Sequence, residues 1–77
     1  MISNKVKETR IKRGMSIAEL ARRTNLSRVT ITNIENNKVV PSLESALAIS
    51  RELEREVGDI FFEIDVNHEL HYEGVKT

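Results

Sequence analysis

The chain has 77 residues, enough for one small domain whose folding buries only about 60% of the surface an unfolded chain exposes, so a separate ligand-sensing domain is not expected. It contains no cysteine, which excludes disulfides and thiolate metal sites, and it has neither the apolar run of a secretory leader in MISNKVKETR nor the roughly 18 apolar residues of a membrane span; the expectation is a soluble, intracellular protein with no membrane partner. Twelve Lys and Arg balance twelve Asp and Glu, but residues 1–38 hold nine cations and three acids whereas residues 39–77 hold three and nine, so a basic half of +6 precedes an acidic half of −6.

The pattern predicts a first helix over residues 4–13, with Val6 and Ile11 apolar and Gly14 supplying the left-handed conformation that ends it. Ser16 and Glu19 form the S-x-x-E signature of a capping box, in which each side chain bonds the other's free amide. A second helix therefore starts at Ser16 and ends near Thr24, burying Leu20 and Ala21. The segment Thr24-Asn25-Leu26 is a tight turn, because asparagine tolerates positive φ better than any residue but glycine. Ser27 then caps a third helix over residues 28–36. Two short helices joined by three residues must cross steeply, the geometry of a helix-turn-helix. In the third helix Ile31 and Ile34 form the inward stripe, which leaves Arg28, Val29, Thr32 and Asn33 outward. That composition is unusual for a face that meets only water, where Glu and Lys are better helix formers. Asn36-Asn37 offers another left-handed ending.

Pro41 and Ser42 open a fourth helix, since proline needs no donor there and serine caps the amides ahead. Its predicted inner face is Leu43, Ala46, Leu47, Ser50 and Leu53, widened by Ala48 and Ile49. A short fifth turn or helix over residues 57–61 sets Ile60 and Phe61 at the bottom of the core. From Phe62 the period changes to two: Phe62, Ile64, Val66, Leu70 and Tyr72 alternate with Glu63, Asp65, Glu69, His71 and Glu73, the pattern of strands. A three-residue loop at 67–69 would set Val66 opposite Leu70 and Ile64 opposite Tyr72 on one face. A lone hairpin is marginal in water, so that face is expected against the helices or a second subunit. Residues 1–61 accordingly read as the helical domain and residues 62–77 as a β segment serving dimerisation.

No catalytic constellation emerges. His68-Glu69-Leu70-His71 lacks the i, i+4 spacing that brings two histidines to one helix face, so neither an enzyme nor a metal, cofactor or small-molecule ligand is expected.

One set of residues is more specific than its parts: Arg10, Gly14-Met15-Ser16, Glu19-Leu20-Ala21, Leu26-Ser27, Thr30-Ile31, Ile34-Glu35-Asn36, Lys38, Pro41-Ser42-Leu43 and Ala46-Leu47. In order and spacing it resembles the Cro and lambda-repressor type of helix-turn-helix regulator, also called the XRE family, over roughly residues 4–61. The resemblance implies an all-α, compact four- to five-helix lambda-repressor-like DNA-binding domain, here followed by a short C-terminal β hairpin or strand. It also implies a structural ion pair between Arg10 and Glu35, joining the first and third helices. Relatives usually have glycine where this chain has Asn25 and Asn37, and many have a phosphate-holding glutamine where it has Ile17.

The chemistry expected of such a domain is readout in the major groove by the start and outer face of the third helix, because only there does each base pair show a distinct edge. Arg28 matches the two acceptors of guanine, Asn33 the acceptor and donor of adenine, and Val29 the thymine methyl; Thr30 and Thr32 add hydroxyl or methyl contacts. Phosphates are expected at the helix N-termini marked by Ser16, Ser27 and Ser42-Leu43, with Asn36 and Lys38 adding direct contacts as the resemblance implies. Lys5, Lys12, Arg13, Arg22 and Arg23 rank lower, since charge runs are usually solvated. The partners expected are double-stranded DNA and a second copy of the chain, the dimer interface lying on Phe62, Ile64, Val66, Leu70 and Tyr72, and the setting expected is the cytoplasmic nucleoid. Two alternatives remain open in the sequence: an antitoxin or restriction-system controller of the same fold, whose tail binds another protein, and a helical interaction module without DNA binding.

Overall fold

Three helices begin at a serine whose hydroxyl accepts the backbone N–H three residues on: Ser16 from Glu19 at 3.0 Å, Ser27 from Thr30 at 3.0 Å and Ser42 from Ser45 at 3.1 Å. They sit within a computed structural model that describes residues 2–63, in the order β1 (Ile2–Asn4), α1 (Val6–Lys12), α2 (Ile17–Thr24), α3 (Arg28–Glu35), α4 (Leu43–Glu52), α5 (Val57–Ile60) and β2 (Phe61–Glu63). Only half of the predicted capping box forms. The Glu19 carboxylate turns instead to Arg23, 2.6 Å away, because an ionised partner one turn on competes with the neutral amide of Ser16.

The first four helices also end alike. After α1, the Gly14 N–H donates to Ile11 and the Met15 N–H to Arg10, and the same pair of bonds follows α2, α3 and α4. The residue forced into the left-handed region is Gly14 (φ 68°), Asn25 (61°), Asn37 (60°) and, without warning from the sequence, Glu54 (58°). A side chain with a Cβ is strained there, by about 1–2 kcal/mol. The carboxylate of Glu54 also meets Arg13 at 3.1 Å, but on an exposed surface where such pairs contribute about 0–1 kcal/mol. Glu54→Gly should therefore raise stability by about 0.5 kcal/mol, read as a higher urea midpoint with an unchanged slope.

Val6, Met15, Leu20, Ala21, Ile31, Ile34, Ile49, Leu53 and Ile60 form the core, with Ile17, Leu26 and Phe61 packed around it. Several details differ from the sequence-based expectation. The first helix starts at Val6 rather than residue 4, because Asn4 belongs to β1, which pairs antiparallel with β2 in the register Ile2 with Glu63, Ser3 with Phe62 and Asn4 with Phe61. Ile11 is exposed, and the inward face of α1 is instead Val6, Thr9 and Arg10. In α4 the buried face is Ala46, Ile49, Ser50 and Leu53, whereas Leu43 (72% exposed) and Leu47 (42%) lie outside it. The helix carried two overlapping apolar stripes, and the one containing Ile49 and Leu53 docks. The strand begins at Phe61, which ends α5 one residue earlier than expected. The expected pairing of residues 64–66 with 70–72 lies outside the described residues.

Ser50 is 2% exposed, and its hydroxyl has no hydrogen-bond partner among the described residues. An unsatisfied buried hydroxyl carries a desolvation cost of about 1–3 kcal/mol, and alanine is the better helix former. Ser50→Ala should stabilise the domain by about 1 kcal/mol in chemical denaturation; a loss of that size would show that the hydroxyl has a partner in solution.

Candidate nucleic-acid interface

The geometry of α3 follows from its two ends and the pair of residues that tie it down. At its start Ser27 caps Thr30, and the two hydroxyls lie 2.8 Å apart, so the Thr30 side chain is half-buried and already engaged. Glu35 at its far end accepts from Arg10 Nε at 2.7 Å and Nη2 at 3.3 Å, while Arg10 Nη1 donates to the Met15 carbonyl at 2.9 Å. Both side chains are almost wholly buried, at 9% and 3% exposed. This fork joins α1, the turn before α2, and α3 in a single unit.

A second tie was not legible in the sequence. Asn4 in β1 donates from Nδ2 to the Ile34 carbonyl (2.8 Å) and to Asn37 Oδ1 (3.0 Å), and its own Oδ1 accepts the Val6 N–H (3.0 Å). It holds the first amide of α1 and at the same time the end of α3. Asparagine two residues before a helix signals the first role; the second spans more than thirty residues and has no local pattern.

With Ile31 and Ile34 wholly buried, helical geometry points Val29 and Asn36 most directly away from the core, flanked by Thr32 and Asn33. Val29 is 69% exposed, Arg28 and Asn36 are exposed, and Thr32 and Asn33 are half-buried. The sequence-predicted base-reading residues thus share one helix, with Arg28 and Val29 most accessible. Lys38 is exposed in the loop that follows.

Charge pairing divides the cations further. Arg23 is engaged with Glu19 and, at 3.9 Å, Glu52; Arg13 with Glu54; Lys12 with Glu8; and Arg22 lies 3.8 Å from Glu19. Lys5 sits over the ring of Phe62, 5.9 Å from its centroid. Arg28 and Lys38 have no acidic partner among the described residues. An arginine at the positive end of a helix is unfavourably placed against the helix dipole.

The three serines differ in what they have left to offer. The Ser42 hydroxyl donates to Ser45 at 3.1 Å and that of Ser27 is shared with Thr30, whereas the Ser16 hydroxyl has no acceptor among the described residues. At all three N-termini, including that of Leu43, the first helical amides have no intrahelical acceptor. Ile17, which stands where many relatives have a phosphate-holding glutamine, packs against the core. Phe62 pairs with Ser3 in the sheet, on the face opposite Phe61, which joins the core; Ile64, Val66, Leu70 and Tyr72 lie outside the described residues. No helix among the described residues is long and apolar enough to cross a membrane, and no group of His, Asp and Glu there is arranged to hold a metal ion.

Two capped helices joined by the left-handed Asn25, the second presenting a free arginine, define a helix-turn-helix domain. The helix-turn-helix family model matches residues 6–60. An uncharacterized HTH-type transcriptional regulator of Archaeoglobus fulgidus is 40% identical over 57 residues, 74% of this chain and 80% of that protein. Another, YgzD of Bacillus subtilis, is 36% identical over 61 residues, covering 79% and 92%. Among solved structures, a candidate DNA-binding protein from Bacteroides fragilis superposes with a TM-score of 0.73 at 22% identity, over 80% of this chain and all of that one, a likeness of fold. The chain belongs to the XRE type of the helix-turn-helix family of DNA-binding transcriptional regulators.

Proposed function

We propose that the protein is a sequence-specific transcriptional repressor that binds an inverted-repeat operator as a homodimer, with α3 of each subunit in successive major grooves about 34 Å apart. The observation that carries this reading is the state of α3: Arg28 and Val29 are exposed at its first turn, without an acidic neighbour among the described residues, while Arg10, Glu35 and Asn4 fix its far end. Arg28, Val29, Thr32 and Asn33 read base edges, and Thr30, with its hydroxyl held by Ser27, offers its methyl group. Backbone amides at Ser16, Ser27 and Ser42-Leu43, with Asn36 and Lys38, hold phosphates on either side. The basic excess lies in residues 1–38, so a molecule of zero net charge still approaches DNA with that part of the chain forward. Repression by occupancy of a promoter needs no cofactor or small ligand, and places the protein with the chromosome in the cytoplasm.

Selection of bound duplexes from a random pool should return a two-fold symmetric site. Affinity for it should fall steeply with salt, with a log–log slope near −0.9 for each phosphate neutralised. Unsymmetric sequences, or binding indifferent to salt, would oppose the proposal.

A further inference from the structure

Apart from Leu43, whose backbone amide is assigned to a phosphate above, the outer face of α4 holds side chains that DNA binding leaves unused. Leu47 (42% exposed) and Leu43 (72%) stand out from the core on successive turns, and Val39 and Val40 of the loop before α4 are exposed as well. Glu44 and Arg51 are exposed next to these leucines, and neither has an ion-pair partner among the described residues. They lie seven residues apart, two helical turns, and so on one face. A two-fold axis makes this arrangement self-complementary: when two copies of α4 pack antiparallel with the axis beside Leu47, Glu44 faces Arg51 of the partner subunit, and Arg51 faces the partner subunit's Glu44. The two ion pairs then stand about 10 Å apart on either side of the axis, with leucines between them, the arrangement of an apolar centre and charged rim. A parallel pairing would instead oppose like charges.

From this we infer that the subunits dimerise through the outer face of α4, with Leu47 at the axis and reciprocal Glu44–Arg51 pairs at the rim. This rests on the homodimer proposed above and names its surface, in place of the expected segment 62–77. Leu47, Glu44 and Arg51 belong to no DNA contact proposed above, so association can be tested apart from DNA recognition.

Sedimentation equilibrium of the full chain, with circular dichroism as a check on folding, tests it. Leu47→Glu should raise the dimer dissociation constant about 100-fold, since a leucine at the axis is lost from both subunits. Glu44→Arg and Arg51→Glu should each raise it about 10-fold by setting like charges together at two places. The exchange E44R/R51E should return it to within about threefold of the parent, which no general loss of fold could do. Three results overturn the inference: a dimer unaffected by Leu47→Glu; single charge changes that the exchange fails to rescue; or a dimer lost only on replacing Phe62, Ile64, Val66, Leu70 or Tyr72. In each of those cases the homodimer itself stands. A chain monomeric at every concentration, with and without operator duplex, removes both the surface and the homodimer.

Discussion

Arg10→Ala should cost about 3–5 kcal/mol of folding stability, as much as truncating a fully buried core side chain. Truncation leaves the Glu35 carboxylate, 3% exposed, without the two N–H groups that now hold it, and the Met15 carbonyl without its guanidinium donor. A small domain has little more than that to lose, and each 1 kcal/mol corresponds to about 4–8 °C of Tm at this size, so thermal unfolding should shift down by roughly 20 °C. Lysine is no substitute, because one ammonium cannot serve two carboxylate oxygens and a carbonyl in the plane of a fork. By contrast Arg10→Met with Glu35→Leu should recover more than half of the loss, since the pair is costly to break yet adds little over apolar packing. A double replacement as damaging as the single one would show that the fork contributes net stability.

The second large effect concerns recognition rather than folding. Arg28→Ala should cost about 1–3 kcal/mol on the preferred operator and little on other sequences, erasing preference at one base pair of each half-site. Lys38→Ala should weaken all duplexes about equally and reduce the salt slope by about 0.9 per subunit. Both side chains are exposed and have no acidic partner among the described residues, so neither change should move the Tm by more than a degree or two. The contrast separates a base contact from a phosphate contact while holding the fold constant.

Legibility in the sequence followed the range of the physics. Ser16, Ser27 and Ser42 announce helix starts because a cap bonds three residues away, and Gly14, Asn25 and Asn37 announce ends because few residues accept positive φ. The inward stripe of α3 was equally plain, because Ile31 and Ile34 are its only large apolar residues apart from Val29. In α4 the pattern was ambiguous: Leu43 and Leu47 compete with Ile49 and Leu53, and only contact with the other helices decides which stripe is covered. Glu54 gave no signal, since glutamate has no preference for the left-handed conformation that the end of α4 requires there. β1 and the reach of Asn4 to Ile34 and Asn37 depend on pairing the two ends of the domain, for which three-residue strands carry too little pattern. Of the candidate site, the identity of the outward residues was readable from spacing. Which cations meet an acid among the described residues, as Arg13 and Arg23 do and Arg28 and Lys38 do not, depends on three-dimensional neighbours.

The most direct test of the account is a base-preference matrix for the parent chain and for Arg28→Ala, each selected from the same random duplex pool at one salt concentration. The parent should return two symmetric half-sites, and the variant the same matrix with a single guanine position in each half flattened. An unchanged matrix, or one lost at every position together, would contradict the docking of α3 in the groove through its first turn.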